Sequence, residues 1–316
     1  MPICEICNYV RTEYFHKLSK YSYYLCFSCY TLFLHPKPTQ KQINHYYKKY
    51  FNYKAGELNE KLIRKRAKVI LKNLMNLNLK GKTLFDIGSG YGYFLDEAIK
   101  LGISAFGIEP SKTLFTISIK HLIEIIIKNL TFEKYYELNK NKKFDFITLI
   151  HTTEHILNPH ETIYKAIKLL NPGGILYIET PNLDSHLFNT EKYEYTFLTP
   201  PDHIWIFSLK SFQKILKNIP DFKIEKFSTY SYPEHLMGII KKKFKILSMK
   251  SGTITNYQNS NKDHSSNPLL IKEGNKKGGV SDFKYMLFDK FLSPLFTPLL
   301  NLGNKGSILE LYIKKK

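Results

Sequence analysis

Thr83-Leu84-Phe85-Asp86-Ile87-Gly88-Ser89-Gly90-Tyr91-Gly92 runs from a short apolar segment through an acid into three glycines at alternate positions. The apolar half reads as a buried strand. Tyr93 to Ile99 then carries apolar residues at helical spacing, so the glycines form a loop joining a strand to a helix N-terminus. Glycine at such a junction permits positive φ and lets a ligand approach the backbone, while the free N–H groups of the first helical turn can face it. The Gly-x-Gly-x-Gly spacing, with Asp86 before it, argues against the Gly-x-Gly-x-x-Gly cradle of a pyrophosphate. Twenty-three residues after Asp86 a second strand, Ala105-Phe106-Gly107-Ile108, ends in Glu109, where a carboxylate can accept hydrogen bonds from ribose hydroxyls. Both features predict a nucleoside site on an α/β sheet.

Two more motifs follow in order, Gly107-Ile108-Glu109-Pro110-Ser111 and Leu170-Asn171-Pro172-Gly173-Gly174-Ile175-Leu176-Tyr177-Ile178-Glu179-Thr180-Pro181-Asn182. With the first stretch they resemble the class I S-adenosylmethionine-dependent methyltransferases over roughly residues 81–230. The resemblance implies an α/β fold with a Rossmann-like, seven-stranded, doubly wound sheet. It also implies S-adenosyl-L-methionine as cofactor, held by Asp86, Gly88, Ser89, Gly90, Gly92 and Glu109. In that family an acid or amide after the third strand, expected here over Leu122 to Ile127, commonly faces the adenine, which points to Asn129. His151, at the end of the fourth strand, Phe144 to Ile150, joins the cofactor set.

The chain of 316 residues can hold one sizeable α/β domain and a smaller attachment. It shows neither an uncharged apolar run of about 18 residues nor a basic-then-apolar leader, so a cytoplasmic protein is expected. A net charge of +20 would ordinarily suggest nucleic acid. However, only Arg11, Arg64 and Arg66 among the 47 basic residues are arginine, the residue preferred for bidentate phosphate and guanine contacts. Lysine scattered among Ile, Asn, Tyr and Phe fits an AT-rich coding bias and a solvated surface.

All four cysteines fall in the first thirty residues, as Cys4-x-x-Cys7 and Cys26-x-x-Cys29 with eighteen residues between the pairs. Two such knuckles at about 15–20 residues can place four thiolates around a structural Zn²⁺, with disulfides as the competing reading. Residues 1–35 are thus expected to form an N-terminal zinc ribbon, followed by a linker and helical lead-in over 36–80. The knuckles, His35-Pro36-Lys37-Pro38-Thr39 and a Tyr46-Tyr47 cluster resemble the zinc-ribbon methyltransferases of cell-surface polysaccharide gene clusters and the sugar C-methyltransferases. In the latter a tyrosine of this segment reaches the substrate, which implies Tyr47.

The fifth strand, Ile175 to Glu179, leads into a long loop, Thr180 to Phe207, expected as a lid or substrate wall. It holds Asp202-His203 and the only tryptophan, Trp205, an expected acceptor contact. The core resumes in a last strand within 306–316, after an insert over 231–305 whose middle, 251–281, is rich in Ser, Asn, Lys and Gly and expected to be disordered. Two flanking helices within 237–302 are expected to cap the domain or line the acceptor pocket, with membrane-surface contact as the alternative.

Methyl transfer to a hydroxyl or an enolisable carbon needs a general base near neutral pH. In the sugar C-methyltransferases a His after the fourth strand and an acid-His pair in the later loop supply it, and these positions match His155 and Asp202-His203. Pro200 stands where that family has a tyrosine, so oxygen and carbon both remain open as the accepting atom. The expected acceptor is a small polar molecule, a sugar or glycan precursor. An RNA methyltransferase and a non-catalytic binding module are the alternatives, and nothing in the sequence indicates an oligomeric state.

Overall fold

The computed structural model describes residues 1–50, 60–78, 82–120, 122, 126–217, 219–232, 235, 236, 239 and 297–316, the side chains of 47–50 and 297 excepted. Between the two cysteine knuckles, β1 (Thr12–Leu18) and β2 (Tyr21–Cys26) form a hairpin, and β3 (Thr31–His35) adds antiparallel to β2. Helices α1 (Gln40–Tyr50) and α2 (Glu60–Leu77) follow, α2 burying Ala67, Ile70, Leu71 and Leu74 along one face.

The core then alternates strand and helix: β4 (Thr83–Ile87), α3 (Tyr93–Lys100), β5 (Ser104–Ile108), α4 (Lys112–Ser118), β6 (Ile127–Lys128), α5 (Phe132–Leu138), β7 (Phe144–Ile150), α6 (Pro159–Lys168) and β8 (Leu170–Pro181). Serine and threonine side chains start α4 and α5, Ser111 accepting from Leu114 N–H and Thr131 from Lys134 N–H, while Pro159 occupies the first turn of α6, where no N–H is needed. After α7 (His186–Glu191), β9 (Trp205–Ile206) and α8 (Leu209–Leu216), the antiparallel pair β10 (Phe222–Tyr230) and β11 (Ile308–Lys315) completes the sheet.

The seven strands lie in the order β10-β11-β8-β7-β4-β5-β6, parallel from β8 to β6 and with β11 antiparallel to both neighbours. The expected seven-stranded α/β sheet is therefore present. From β4 the chain builds outward through β5 to β6, then returns to the other side of β4 with β7. The crevice over the carboxyl ends of β4 and β7 is thus the topological switch point, where ligands of such sheets bind.

Two expectations need correction. The Thr180 to Phe207 loop is no free lid: Trp205 and Ile206 pair with Phe33 and Leu32, making β9 the fourth strand of the ribbon sheet. Ribbon and core also share one apolar cluster, in which Cys4, Cys26 and Tyr23 join Trp205, Phe207 and Phe212. The third strand is only Ile127–Lys128, with 121 and 123–125 outside the described residues. The expected disordered middle at 251–281 and most of its flanks within 237–302 also lie outside them. Among the described residues no helix is long and apolar enough to cross a membrane.

Candidate cofactor and acceptor site

At the end of β4, Asp86 is 2% exposed and accepts a 2.5 Å hydrogen bond from the Thr148 hydroxyl on β7. The loop after it curls through positive φ at Gly88, Gly90 and Gly92, at 77°, 54° and 77°. A Cβ at Gly88 would lie 2.7 Å from Thr152 Oγ1, and one at Gly92 2.4 Å from Leu122 Cδ1, so two of the glycines are required by contact as well as by φ. The Ile108 carbonyl accepts from the N–H groups of Gly88 and Ser89 at 2.9 and 3.0 Å, clamping the loop to β5.

Glu109 receives Gly90 N–H on Oε2 at 2.9 Å and Ser111 N–H on Oε1 at 2.7 Å. Each oxygen keeps lone-pair capacity for a further donor. Burial pushes both acids up to about 7, opposed by the Thr148 hydroxyl at Asp86 and by the two backbone donors at Glu109. Two buried acids facing one cavity suit a ligand that brings a positive charge and hydroxyl donors, as S-adenosylmethionine does.

The cavity measures about 1310 Å³. A single small ligand usually fills about 300–1,000 Å³, so there is room for a cofactor and an acceptor. Asp86, the glycine loop, Glu109 and Phe132 line one part, and Asn44, Arg66, His151, Glu154, His155 and His203 line another. Asn129 is not among the lining residues. Its Nδ2 donates to the carbonyls of Glu109 and Pro110 at 2.7 and 3.1 Å, so it ties the turn after β5, and Phe132 occupies the neighbouring wall.

The second part is a cluster of alternating charge. His151, at φ 48°, has Nδ1 3.3 Å from Glu154 and Nε2 3.3 Å from Glu179. Burial alone would strip its proton, but the two carboxylates outweigh it and hold His151 at about 10. Glu154 also accepts from the Thr180 hydroxyl at 3.0 Å, and Arg66 holds Glu179 at 2.8 Å. His155 Nδ1 sits 3.0 Å from both the carboxylate and the carbonyl of Asp202, and against the same desolvation these groups hold it at about 9.

His203 differs. Its ring centroid is 4.8 Å from that of His155, and its Nδ1 faces the Phe197 carbonyl at 2.8 Å, so the proton of the neutral ring belongs on Nδ1 and the lone pair on Nε2. Burial first, and the positive His155 second, lower its pKa. The sequence pairing is therefore corrected: the Asp202 carboxylate pairs with His155, and the Phe197 carbonyl orients His203. One ligand atom each from Glu154, His155 and His203 lies within 4.8 Å of the others, so the three converge on one spot.

Trp205 is also corrected. It is 1% exposed, donates from its indole N–H to the Ile156 carbonyl at 2.8 Å and packs against Phe33 and Phe207, a core residue rather than an acceptor contact. The Tyr47 side chain lies outside the described residues. Sequence reasoning assigned no role to Thr152, Glu154, Glu179 and Arg66, although Glu154 stands between two of the singled-out histidines and Glu179 ends the expected fifth strand.

At the other end of the ribbon sheet all four cysteines are unoxidised, with Cys4 Sγ 3.5 Å from Cys29 Sγ and Cys7 Sγ 3.5 Å from Cys26 Sγ. A disulfide needs about 2.05 Å. Tetrahedral zinc with Zn–S near ~2.3 Å sets sulfurs roughly 3.8 Å apart, which these separations approach, and all four sulfurs lie within 4.8 Å of one another.

The family model described as "Methyltransferase domain" matches residues 58–223, more than half of the 316-residue chain. A mitochondrial ubiquinone biosynthesis O-methyltransferase of Dictyostelium discoideum is 29% identical over 126 residues, 36% of this chain and 39% of that protein. A ubiquinone biosynthesis O-methyltransferase of Glaesserella parasuis is 31% identical over 111 residues, 33% of this chain and 47% of that protein. The matches thus span half or less of the length of these relatives. A solved SAM-dependent methyltransferase from Archaeoglobus fulgidus superposes with a TM-score of 0.52 at 15% identity, over 86% of this chain and 98% of that one, and shares the fold.

Proposed function

Because this chain belongs to the methyltransferase domain family, we propose that it transfers a methyl group from S-adenosylmethionine to a hydroxyl of a small polar acceptor, a sugar or glycan precursor. The observation that carries this reading is His203, its Nδ1 on the Phe197 carbonyl, standing 4.8 Å from a His155 that is paired with Asp202, in the same cavity as the Asp86 and Glu109 acids. When bound, the cofactor supplies an electrophilic methyl carbon on a sulfonium. Glu109 accepts the ribose hydroxyls through its remaining lone pairs, and the loop from Gly88 to Gly90, with Ser89 and Asp86, faces the amino acid end. His151, held between Glu154 and Glu179, closes that side as a fixed positive charge.

His203 Nε2 removes the acceptor's proton, and Asp202 keeps His155 protonated, so that its charge stabilises the oxygen as it becomes negative. Tyr47 remains the proposed acceptor contact from the lead-in segment. Cys4, Cys7, Cys26 and Cys29 hold a structural Zn²⁺. Two facts favour oxygen over carbon: the matching relatives are named O-methyltransferases, and Pro200 removes the phenol that the sugar C-methyltransferases place two residues before the acid.

The test is S-adenosylhomocysteine release from a panel of nucleotide sugars, polyhydroxylated aromatics and structured RNA. Release with a nucleotide sugar and not with RNA is expected. Release with RNA alone overturns the reading. The mass and fragmentation of the product then decide between oxygen and carbon.

A further inference from the structure

The carbonyl of His203 is reached from the ribbon: Tyr23 Oη donates to it at 2.7 Å across 180 residues of sequence. Tyr23 sits on β2, three residues before the knuckle cysteine Cys26, and is 0% exposed. Burial, and then the nearby Asp202 carboxylate, push its phenol well above the ordinary value, so it remains an O–H donor at any working pH.

A second stitch lies at the other knuckle. Cys29 Sγ is 3.0 Å from Thr31 Oγ1, which donates to Ser211 Oγ at 2.7 Å, and Ser211 in turn caps α8 together with Ser208. Ser208 Oγ also reaches the Cys29 carbonyl at 3.3 Å. Between the two stitches, Ile204 to Ile206 is paired to β3, with Leu34 N–H on the Ile204 carbonyl at 2.9 Å. On the core side, the segment is held by Ile204 N–H on the Glu154 carbonyl, also at 2.9 Å. The stretch 203–208 is therefore held by a sheet that carries Cys26 at the end of β2 and Cys29 in the turn before β3, whereas the glycine loop is hydrogen-bonded to Ile108 and Glu109.

From this we infer that Tyr23 is a positioning residue: through it the metal-held ribbon sets where His203 stands, so turnover depends on the ribbon's metal while cofactor binding does not. The inference rests on His203 acting as the base. Shifting a reacting group by about 1 Å can cost on the order of 10²-fold in rate, enough for a remote hydrogen bond to matter.

The experiment uses the full chain with ¹³C-labelled histidine, the His203 signal being assigned by its loss in His203→Gln. In Tyr23→Phe the His203 resonance and its titration midpoint are expected to move. Zinc content should stay at that of the parent, and S-adenosylhomocysteine affinity by calorimetry should stay within about twofold. If that variant does not fold, stepwise chelation of the parent takes its place: the His203 signal should shift in proportion to zinc released, with S-adenosylhomocysteine still bound.

Turnover with the nucleotide sugar that releases most S-adenosylhomocysteine should fall about tenfold or more in Tyr23→Phe, in kcat rather than in the cofactor's KM. A His203 signal unmoved by both the substitution and zinc removal overturns the positioning role. So does a loss of cofactor affinity that parallels the loss of turnover. His203→Gln with parental turnover instead overturns the base reading on which the role depends, a result the spectra alone could not give.

Discussion

At Glu109 two backbone donors already fix the carboxylate, so the ribose contact proposed for it would meet a preorganised acceptor. Removing it in Glu109→Ala deletes one or two charge-assisted hydrogen bonds of roughly 1.5–3 kcal/mol each, and S-adenosylmethionine affinity should weaken at least tenfold by calorimetry. Unchanged affinity would remove Glu109 from the site. The same acid sets a pH dependence. Asp86 and Glu109 both titrate at about 7, and the bound state needs them ionised. Protons therefore compete with the ligand, and affinity should fall as pH drops from about 8 to 6.

His203 sets the other residue-scale test. General base assistance typically contributes 10²–10⁴-fold, so His203→Ala should lower kcat by about that factor and leave cofactor affinity near the parent's. Its pKa is lowered below the usual 6.5, so the acidic limb of kcat should lie below that value. The alkaline limb should appear near 9, where His155 loses the proton that Asp202 holds on it. Turnover within about threefold of the parent at saturating acceptor would rule the base out.

Among the elements, the turn from β4 into α3 is where backbone conformation and packing act together. Gly88→Ala forces an L residue to φ 77° and drives its Cβ into Thr152. The left-handed conformation costs roughly 1–2 kcal/mol for a residue with a Cβ. Relieving the contact in Gly88→Ala/Thr152→Ala should recover only the steric part, so the double variant should bind S-adenosylmethionine better than Gly88→Ala and worse than the parent. Full recovery would mean that φ is not constrained there.

This turn was legible because every residue that defines it is local: the strand, the acid, the glycines and the helix start are contiguous, and Glu109 follows within one βα unit. The histidine cluster was legible only as an inventory. His155 and Asp202 are 47 residues apart, and which of the two histidines the acid would hold depends on β9 being drawn onto the ribbon sheet, a long-range pairing that leaves no local pattern. Trp205 was misread for the same reason, its position in a long loop concealing a two-residue strand. For Asn129 no local pattern separates an amide that faces a base from one that serves the turn's own carbonyls, which its Nδ2 does.

On the scale of the whole molecule, one arginine ties the lead-in helix to the sheet. Arg66 on α2 donates to Glu179 on β8, to Glu310 on β11 and to the Tyr177 hydroxyl, and its guanidinium lies 3.8 Å from the ring centre of Tyr230 on β10. Glu179 and Glu310 are 1% and 5% exposed. Breaking a buried pair by removing one partner typically costs 3–5 kcal/mol, because a charge is left without compensation. Arg66→Met should therefore lower the free energy of unfolding in urea by roughly that amount. Arg64→Met should lose less, since Glu60 and Asp96 are partly solvated and the buried Glu97 keeps Lys100 at 3.1 Å and Lys68 at 3.5 Å.

The pH dependence separates the pairing from mere packing. In the parent, Arg66 and His151 hold Glu179 well below its usual 4.5, against the burial that would raise it. That depressed pKa contributes stability present above about 4.5 and lost as the pH falls further. Without Arg66 only His151 and the Tyr177 hydroxyl oppose burial, so the carboxylate's pKa rises and part of its stabilisation at neutral pH is lost. The stability gap between parent and Arg66→Met should consequently be widest near pH 7 and narrow as the pH falls below about 4.5. A gap of constant size across that range would reduce Arg66 to a packing contact of its methylenes.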